Sequence, residues 1–359
     1  MIGAERRAGG PAVGFPAAEE PAPASPPDGV PSIASEERAS GTVNLGRRFF
    51  NVKTGLSFLL GIAILFALFR FSDVKLSEIL AQLREVDPRV YALAAICYTL
   101  TFPFRGLRWQ RLLANAGSRL PLSQLTEVIF ISWFVNSVLP GKVGDVYRGY
   151  LLRREHGLSL SRTVGTVVAE RVVDLCGLVT LLGVTGFFVL RNRVSPVVDG
   201  MLHAGWIGLA LLIGGLFVLN RFGDRLAALF PAQVQAIYAK FAHGTFASLS
   251  SLKGLPLLIL LTVLAWSAEA GRLYFVMQAL DVQLGPLAAL FTVAAISLAL
   301  IVPTPGGLGG VEAAFAGVLA VFGVPLQIAL AVALLDRLIS YYSLILFGLP
   351  AFLFTRRGK

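Results

Sequence analysis

The stretch Asn136-Ser-Val-Leu-Pro-Gly-Lys-Val-Gly-Asp-Val-Tyr-Arg148 interrupts an otherwise apolar region with a Pro-Gly break, a second glycine, an acid and an arginine. About 16 residues lead into Pro140-Gly141, and about 11 more lead out to Arg153-Arg154. At about 1.5 Å per helical residue, neither arm comfortably crosses a hydrocarbon core of about 30 Å. The stretch therefore reads as a re-entrant hairpin that enters and leaves on one side. Irregular backbone at that depth is tolerated only where protein or water satisfies its polar groups. A second break, Pro303-Thr-Pro-Gly-Gly-Leu-Gly-Gly-Val-Glu312, lies between two short arms over 287–322 and reads as a second hairpin.

The composition around these breaks is that of a membrane protein. Of 359 residues, 55% are hydrophobic and only 14% charged, where a soluble domain is nearer a quarter charged. Several apolar runs reach about 18 residues or more, the length a spanning helix needs, so the expected class is an all-α polytopic membrane protein. A β-barrel would instead alternate in ten-residue segments. The net charge is +10, but the first 45 residues hold six acids against three arginines, a balance of −3, so the rest carries +13. That charge is scattered over loops, as expected for cytoplasmic loops rather than a nucleic-acid surface. Cys97 and Cys176 fall in apolar segments and imply no disulfide framework. His156, His203 and His243 lie far apart, so neither a metal nor a cofactor is expected.

Residues 1–45, rich in Pro, Ala, Gly and Glu, read as a disordered tail without a cleavable signal. Residues 46–355 form the membrane domain. Arg47, Arg48 and Lys53 precede a first span, 50–70, and place the N-terminus in the cytoplasm. Residues 74–87 put Leu76, Ile79, Leu80, Leu83 and Val86 on one face of a short amphipathic helix. A span at 89–105 returns to a cytoplasmic cluster of Arg105, Arg108, Arg111 and Arg119, with Trp109 at the interface. After the first hairpin come spans at 163–190, 204–220 and 255–280. The second hairpin and a last span, 326–352, follow. This gives six spans and two hairpins, with both termini and the basic connection 221–253 inside. It sets 19 Lys and Arg on the inner side against six outside.

The halves align with each other. An offset of 166 carries Gly144 to Gly310, Gly157 to Gly323, Glu170 to Asp336 and Arg171 to Arg337, and an offset of one less matches Pro140-Gly141 with Pro305-Gly306. Repeat units of about 89–190 and 255–352 result, each a span, a hairpin and a span. Three spans separate the hairpins, so the second unit is inverted and the hairpins are opposed, an arrangement in which substrate sites lie at the repeat interface.

The candidate site follows from these features. Gly-rich breaks expose backbone N–H groups at helix N-termini, which suit anions. In the first break Asn136, Gly141, Gly144, Asp145 and Arg148 are the candidates, with Lys142 adding charge. In the second they are Gly306, Gly307, Gly309, Gly310 and Glu312, where glycines allow close backbone approach. Glu170-Arg171 and Asp336-Arg337 are adjacent acid–base pairs deep in spans, where a charge must face protein or water. Asp174 lies one turn from Arg171, and Glu269 and Arg272 are spaced to satisfy each other. Two readings stand: the arginines hold a phosphate, with the acids orienting them or binding a cationic headgroup, or the pairs are buried salt bridges locking hairpins to spans.

Taken together, Asn136-x-x-Leu139-Pro-Gly-x-x-Gly-Asp145-x-x-Arg148, Glu170-Arg171-x-x-Asp174, Pro305-Gly-Gly-Leu-Gly-Gly-x-Glu312 and Asp336-Arg337 resemble the lysylphosphatidylglycerol synthase transmembrane, flippase-like (UPF0104) family, over roughly residues 48–355. The resemblance implies a membrane region that moves aminoacylated phosphatidylglycerol to the outer leaflet. It implies translocation rather than synthesis, because the soluble aminoacyl-transferase domain of the two-domain synthases has no counterpart before Lys359.

The expectation is an inner-membrane lipid flippase whose partner is an anionic or aminoacylated phospholipid or a lipid-linked glycan, and not nucleic acid. A homo-oligomer or a partner lipid-modifying enzyme is compatible with it. Two other classes stay open. One is a non-transporting subunit of a lipid or cell-envelope enzyme. The other is a membrane-embedded transferase, for which Asp145 or Glu312 are the candidate acids.

Overall fold

The computed structural model describes residues 52–71, 76–139, 141–189, 196–250, 254–299 and 304–357. The N-terminal tail, Arg47 and Arg48, Pro140, Arg191 and Arg193, Pro303 and Lys359 lie outside the described residues. Among the described residues the chain is helical and has no strand. In order, the helices are α1 (Val52–Phe71), α2 (Leu76–Arg84), α3 (Pro88–Asn115), α4 (Leu122–Val138), α5 (Val143–His156), α6 (Leu160–Val189), α7 (Pro196–Ala227), α8 (Ala232–Leu249), α9 (Leu255–Ala279), α10 (Pro286–Ala299), α11 (Gly310–Val321), α12 (Leu326–Arg337) and α13 (Ser343–Arg357).

Among the described residues, five stretches are long and apolar enough to cross a membrane: Pro88–Asn115, Leu160–Val189, Gly205–Ala227, Leu255–Ala279 and Leu326–Thr355. The chain is a multi-pass membrane protein. α1, expected as a sixth span, is 20 residues of apolar helix but is not among the five. The last stretch is continuous through a π-turn at Leu338–Tyr342 that joins α12 to α13.

Both expected breaks occur. α4 stops at Val138 and α5 starts at Val143, while α10 stops at Ala299 and α11 starts at Gly310 after a tight turn at Pro305–Gly307. The arms are 17, 14, 14 and 12 residues. As helices they measure about 25, 21, 21 and 18 Å, each short of the bilayer core. Lys142 and Gly141 at the first break, and Gly306, Gly307 and Gly309 at the second, take positive φ. That conformation disfavours any residue with a Cβ, so the glycines at the second break are required by backbone geometry.

Packing follows a pattern across the two halves. α3 and α9 make the most extensive interface. α4 packs against α13, and α10 packs against α6, so the first arm of each hairpin lies on the last span of the other half. α4 also touches the Pro305–Gly307 turn. Outside this assembly, α2 seats buried Ile79 on Leu330 and Ala331 of α12, with Leu83 beside it. α7 leaves Trp206, Leu211 and Phe217 exposed, as an apolar helix facing lipid would.

One helix corrects the sequence reading. α3 runs to Asn115 rather than ending at 105. Arg105 and Arg108 are therefore not loop cations. They lie buried on the helix face that carries Tyr98, Thr101 and Leu112, while Arg111 and Arg119 remain exposed. Trp109, expected at an interface, is fully buried and donates from Nε1 to Thr166 Oγ1 at 3.0 Å.

Candidate functional site

The first hairpin is clipped together by its own polar groups. Ser132 Oγ donates to the Gly144 carbonyl at 2.8 Å, and the Gly144 N–H donates to Asn136 Oδ1 at 2.7 Å. The arms are so close that a Cβ on Gly144 would overlap the Ser132 carbonyl. Asn136 Nδ2 in turn donates to Asp145 Oδ1 at 3.2 Å. The second break uses a carboxylate for the same purpose: Glu312 Oε2 accepts the Gly309 N–H at 2.7 Å. In each break a side chain thereby accepts from a backbone N–H.

Six arginines and six carboxylates then interlock. Glu170 is fully buried and accepts from Arg148 at 2.5 Å and Arg108 at 3.2 Å. Asp174 pairs with Arg108 at 2.7 Å and Arg171 at 3.2 Å. Arg171 Nε lies 3.1 Å from Asp145 Oδ2. On the other side, Glu269 pairs with Arg272 at 3.1 Å, Arg272 pairs with Asp336, and Arg337 Nε donates to Glu312 Oε1 at 2.9 Å. Arg105 stands between the two sides, 3.7 Å from Asp174 and 3.4 Å from Glu269. Burial raises the cost of leaving any one of these charges alone, and reciprocal pairing offsets it.

The pairs are not the expected ones. Glu170 does not serve Arg171, and Asp336 does not serve Arg337. Neighbours on a helix project about 100° apart, so the acid and the base of each pair meet different partners. Asp336 turns toward Arg272 of α9, and Glu170 meets Arg108 of α3 and Arg148 of α5, while Arg171 and Arg337 turn toward Asp145 and Glu312 in the second arm of their own half's hairpin. The self-satisfied Glu269–Arg272 pair is present, and Arg272 also reaches Asp336.

A cavity of about 590 Å³ lies between the breaks. Of the sixteen residues proposed from sequence, Asn136, Gly141, Asp145, Arg171, Asp174, Arg272, Gly306, Gly307, Asp336 and Arg337 line it. Gly144, Arg148, Glu170, Gly309, Gly310 and Glu312 do not; they form the supporting clips and ion pairs behind its wall. Arg171 and Arg337 converge on this one cavity. Arg171 is the more open, its side chain 32% exposed against 8% for Arg337.

Sequence reasoning missed several wall residues. Arg105 was hidden in a seeming loop cluster, although its spacing of seven from Tyr98 places both on one helix face. Trp133 and Trp266 flank the Arg105 guanidinium at 4.8 and 5.7 Å. Arg272 lies over Tyr98 at 5.7 Å and Arg337 over Tyr341 at 5.2 Å, geometry suited to cation–π attraction. Leu175, Leu178, Leu212, Val293, Phe315 and Leu344 make the rest of the wall apolar. The cavity is amphipathic, lined by both charged and hydrocarbon side chains.

Comparison with known proteins accords with this architecture. Residues 55–348 match the family described as Lysylphosphatidylglycerol synthase TM region. A UPF0104 membrane protein of Methanocaldococcus jannaschii is 36% identical over 229 residues, covering 63% of this chain and 95% of that protein. A UPF0104 membrane protein of Pyrococcus horikoshii is 24% identical over 323 residues, covering 83% and 96%. Glycosyltransferase AglD of Haloferax volcanii is 27% identical over 304 residues, covering 74% of this chain but only 48% of that protein.

Proposed function

The chain belongs to the family of the lysylphosphatidylglycerol synthase TM region, and on that premise we propose that it is a lipid flippase of the inner membrane. Its substrate is a phospholipid or lipid-linked molecule whose headgroup passes between leaflets through the cavity. The observation that carries this reading is the amphipathic cavity itself, lined by charged residues and by apolar side chains such as Leu212 and Phe315. A headgroup in bare hydrocarbon meets no hydrogen-bonding partner, and a wall of this kind supplies one while the acyl chains stay against apolar side chains. On this reading the chain itself makes and breaks no covalent bond.

The proposed architecture is six spans, α1 included, with two opposed re-entrant hairpins in an inverted repeat and both termini cytoplasmic. The reciprocal contacts of α4 with α13 and of α10 with α6 support it. So do the pairs Arg171–Asp145 and Arg337–Glu312, in which the arginines hold matched positions and the acids differ in register by one residue. The middle of α1 lies against the second break, where a Cβ on Gly61 would touch Leu308. A tip packed on the middle of a span is what a re-entrant hairpin requires.

The test is reconstitution of the purified protein in liposomes with fluorescent phospholipids and bleaching of the outer leaflet. Protein-dependent movement is expected, and lipid that moves no faster than in empty liposomes would count against transport. In a variant lacking Cys97 and Cys176, cysteines placed at Glu85 and Gln235 label from opposite sides of the membrane. Labelling from one side would sink the topology.

A second reading is favoured by the likeness to AglD, named a glycosyltransferase, of which this chain covers about half. The chain would then be the membrane partner of a lipid-modifying enzyme, and liposomes would show no transport until that enzyme is added.

A further inference from the structure

We infer that the cavity selects a phosphate ester carrying a single negative charge, and that Lys142 is the residue that selects it. This rests on reading the cavity as a headgroup site. The six arginines and six carboxylates described above balance one another, and every arginine among them has a carboxylate within 4.0 Å. Lys142 is left over. It lines the cavity, is exposed to it, and has no hydrogen bond or ion pair among the described residues. The interior of the site therefore carries one uncompensated positive charge.

The same accounting argues against a cationic headgroup. A carboxylate able to bind an ammonium group would have to abandon an arginine, leaving that arginine buried and unpaired. An aromatic cage would need free ring faces, yet Trp133, Trp266, Tyr98 and Tyr341 are already engaged by Arg105, Arg272 and Arg337. The unengaged charge is a point cation on a flexible stem, which suits a phosphate oxygen. Its backbone fixes where it stands. Lys142 holds φ 54° at the N-cap of α5, a left-handed conformation unusual for a residue with a Cβ. Glycine or asparagine would adopt that conformation more easily, so the lysine stands there at the expense of local strain.

The backbone preference also supplies the variant. Lys142→Asn removes the charge, tolerates the left-handed backbone and breaks no contact, so the protein folds; Lys142→Arg restores the charge. The full-length protein in detergent is incubated with equimolar phosphatidylglycerol, phosphatidylcholine and lysyl-phosphatidylglycerol, and retained lipid is counted by native mass spectrometry. The expected result is at least a tenfold preference for phosphatidylglycerol, lost in Lys142→Asn and kept in Lys142→Arg. Glycerophosphoglycerol, a soluble diester with a single negative charge, is then added as competitor. Displacement at micromolar concentration identifies a soluble phosphate ester as the ligand, and failure to displace at millimolar concentration identifies the lipid. An unchanged preference in Lys142→Asn, or a preference for the lysyl lipid, overturns the inference. Transport in liposomes separates the two proposals. Lys142-dependent selectivity without transport removes the flippase reading alone, and transport that is indifferent to Lys142 and to headgroup charge removes this one alone.

Discussion

Arg337 Nε donates to Glu312 Oε1 at 2.9 Å across the second half, and in the first Arg171 Nη2 donates to Asp145 Oδ1 at 3.3 Å. In both, an arginine deep in a long helix grips the first turn of a hairpin's second arm. The two grips differ in burial, and that difference separates their roles.

Arg337 also donates from Nη1 to the Gly306 carbonyl at 2.7 Å, so it holds the second break by two bonds from one planar group. Lysine cannot supply both directions at once. Arg337→Lys should cost about 1.5–3 kcal/mol, the range for a lost hydrogen bond to a charged group, read as a lower thermal midpoint in detergent. Arg171→Lys sits at a wetter position, with its side chain one-third exposed. Its stability should fall less and its transport more. A larger stability loss for Arg171→Lys than for Arg337→Lys would reverse the assignment.

Glu170 answers to two arginines and touches no part of the cavity wall. Glu170→Gln leaves Arg148 and Arg108 facing a neutral group, and breaking a buried pair costs about 3–5 kcal/mol. Membrane-inserted yield should drop sharply. Adding Arg148→Leu should recover part of it, because Arg108 keeps Asp174 at 2.7 Å while the stranded charge is removed. Yield from the double variant that is no better than from Glu170→Gln alone would show that Glu170 does more than neutralise its partners.

Gly306 has φ 58°, and a Cβ there would overlap the Tyr341 ring. Gly306→Ala therefore carries a backbone cost of about 1–2 kcal/mol together with a steric clash. Tyr341→Ala relieves the clash and leaves the backbone cost. In a double-mutant cycle on unfolding midpoints, the pair should be less destabilised than the sum of the singles. Simple additivity would mean that the ring moves aside freely and that the turn is looser than its geometry implies.

The helix breaks were legible in sequence because Pro-Gly and Gly-Gly within apolar runs have few other structural uses. The convergence of Arg171 and Arg337 followed from the repeat. Their partners did not follow, since adjacency along a chain says nothing about facing directions on a helix; Glu170 belongs with Arg108 and Arg148, residues 62 and 22 positions away. Arg105 and Arg108 were misplaced for a related reason. Hydropathy averages over all faces, so a helix with one charged, buried side reads as the end of a span and the start of a loop. The distinction between Arg148 behind the wall and Lys142 within it lay beyond the sequence, because it depends on which way a tight turn points each side chain.

Arg105 has a consequence for motion. Its two contacts, 3.7 Å to Asp174 and 3.4 Å to Glu269, are looser than the 2.5–3.2 Å pairs to either side. Rock the α6 side against the α9 side, and Arg105 is the charge that has to choose. It can tighten on one carboxylate while releasing the other, with Trp133 and Trp266 keeping its cationic face covered throughout. A single guanidinium held loosely by two rivals makes a latch with two settings, and neither setting strands a charge, because the carboxylate it lets go keeps its other partners, Arg108 and Arg171 for Asp174 and Arg272 for Glu269.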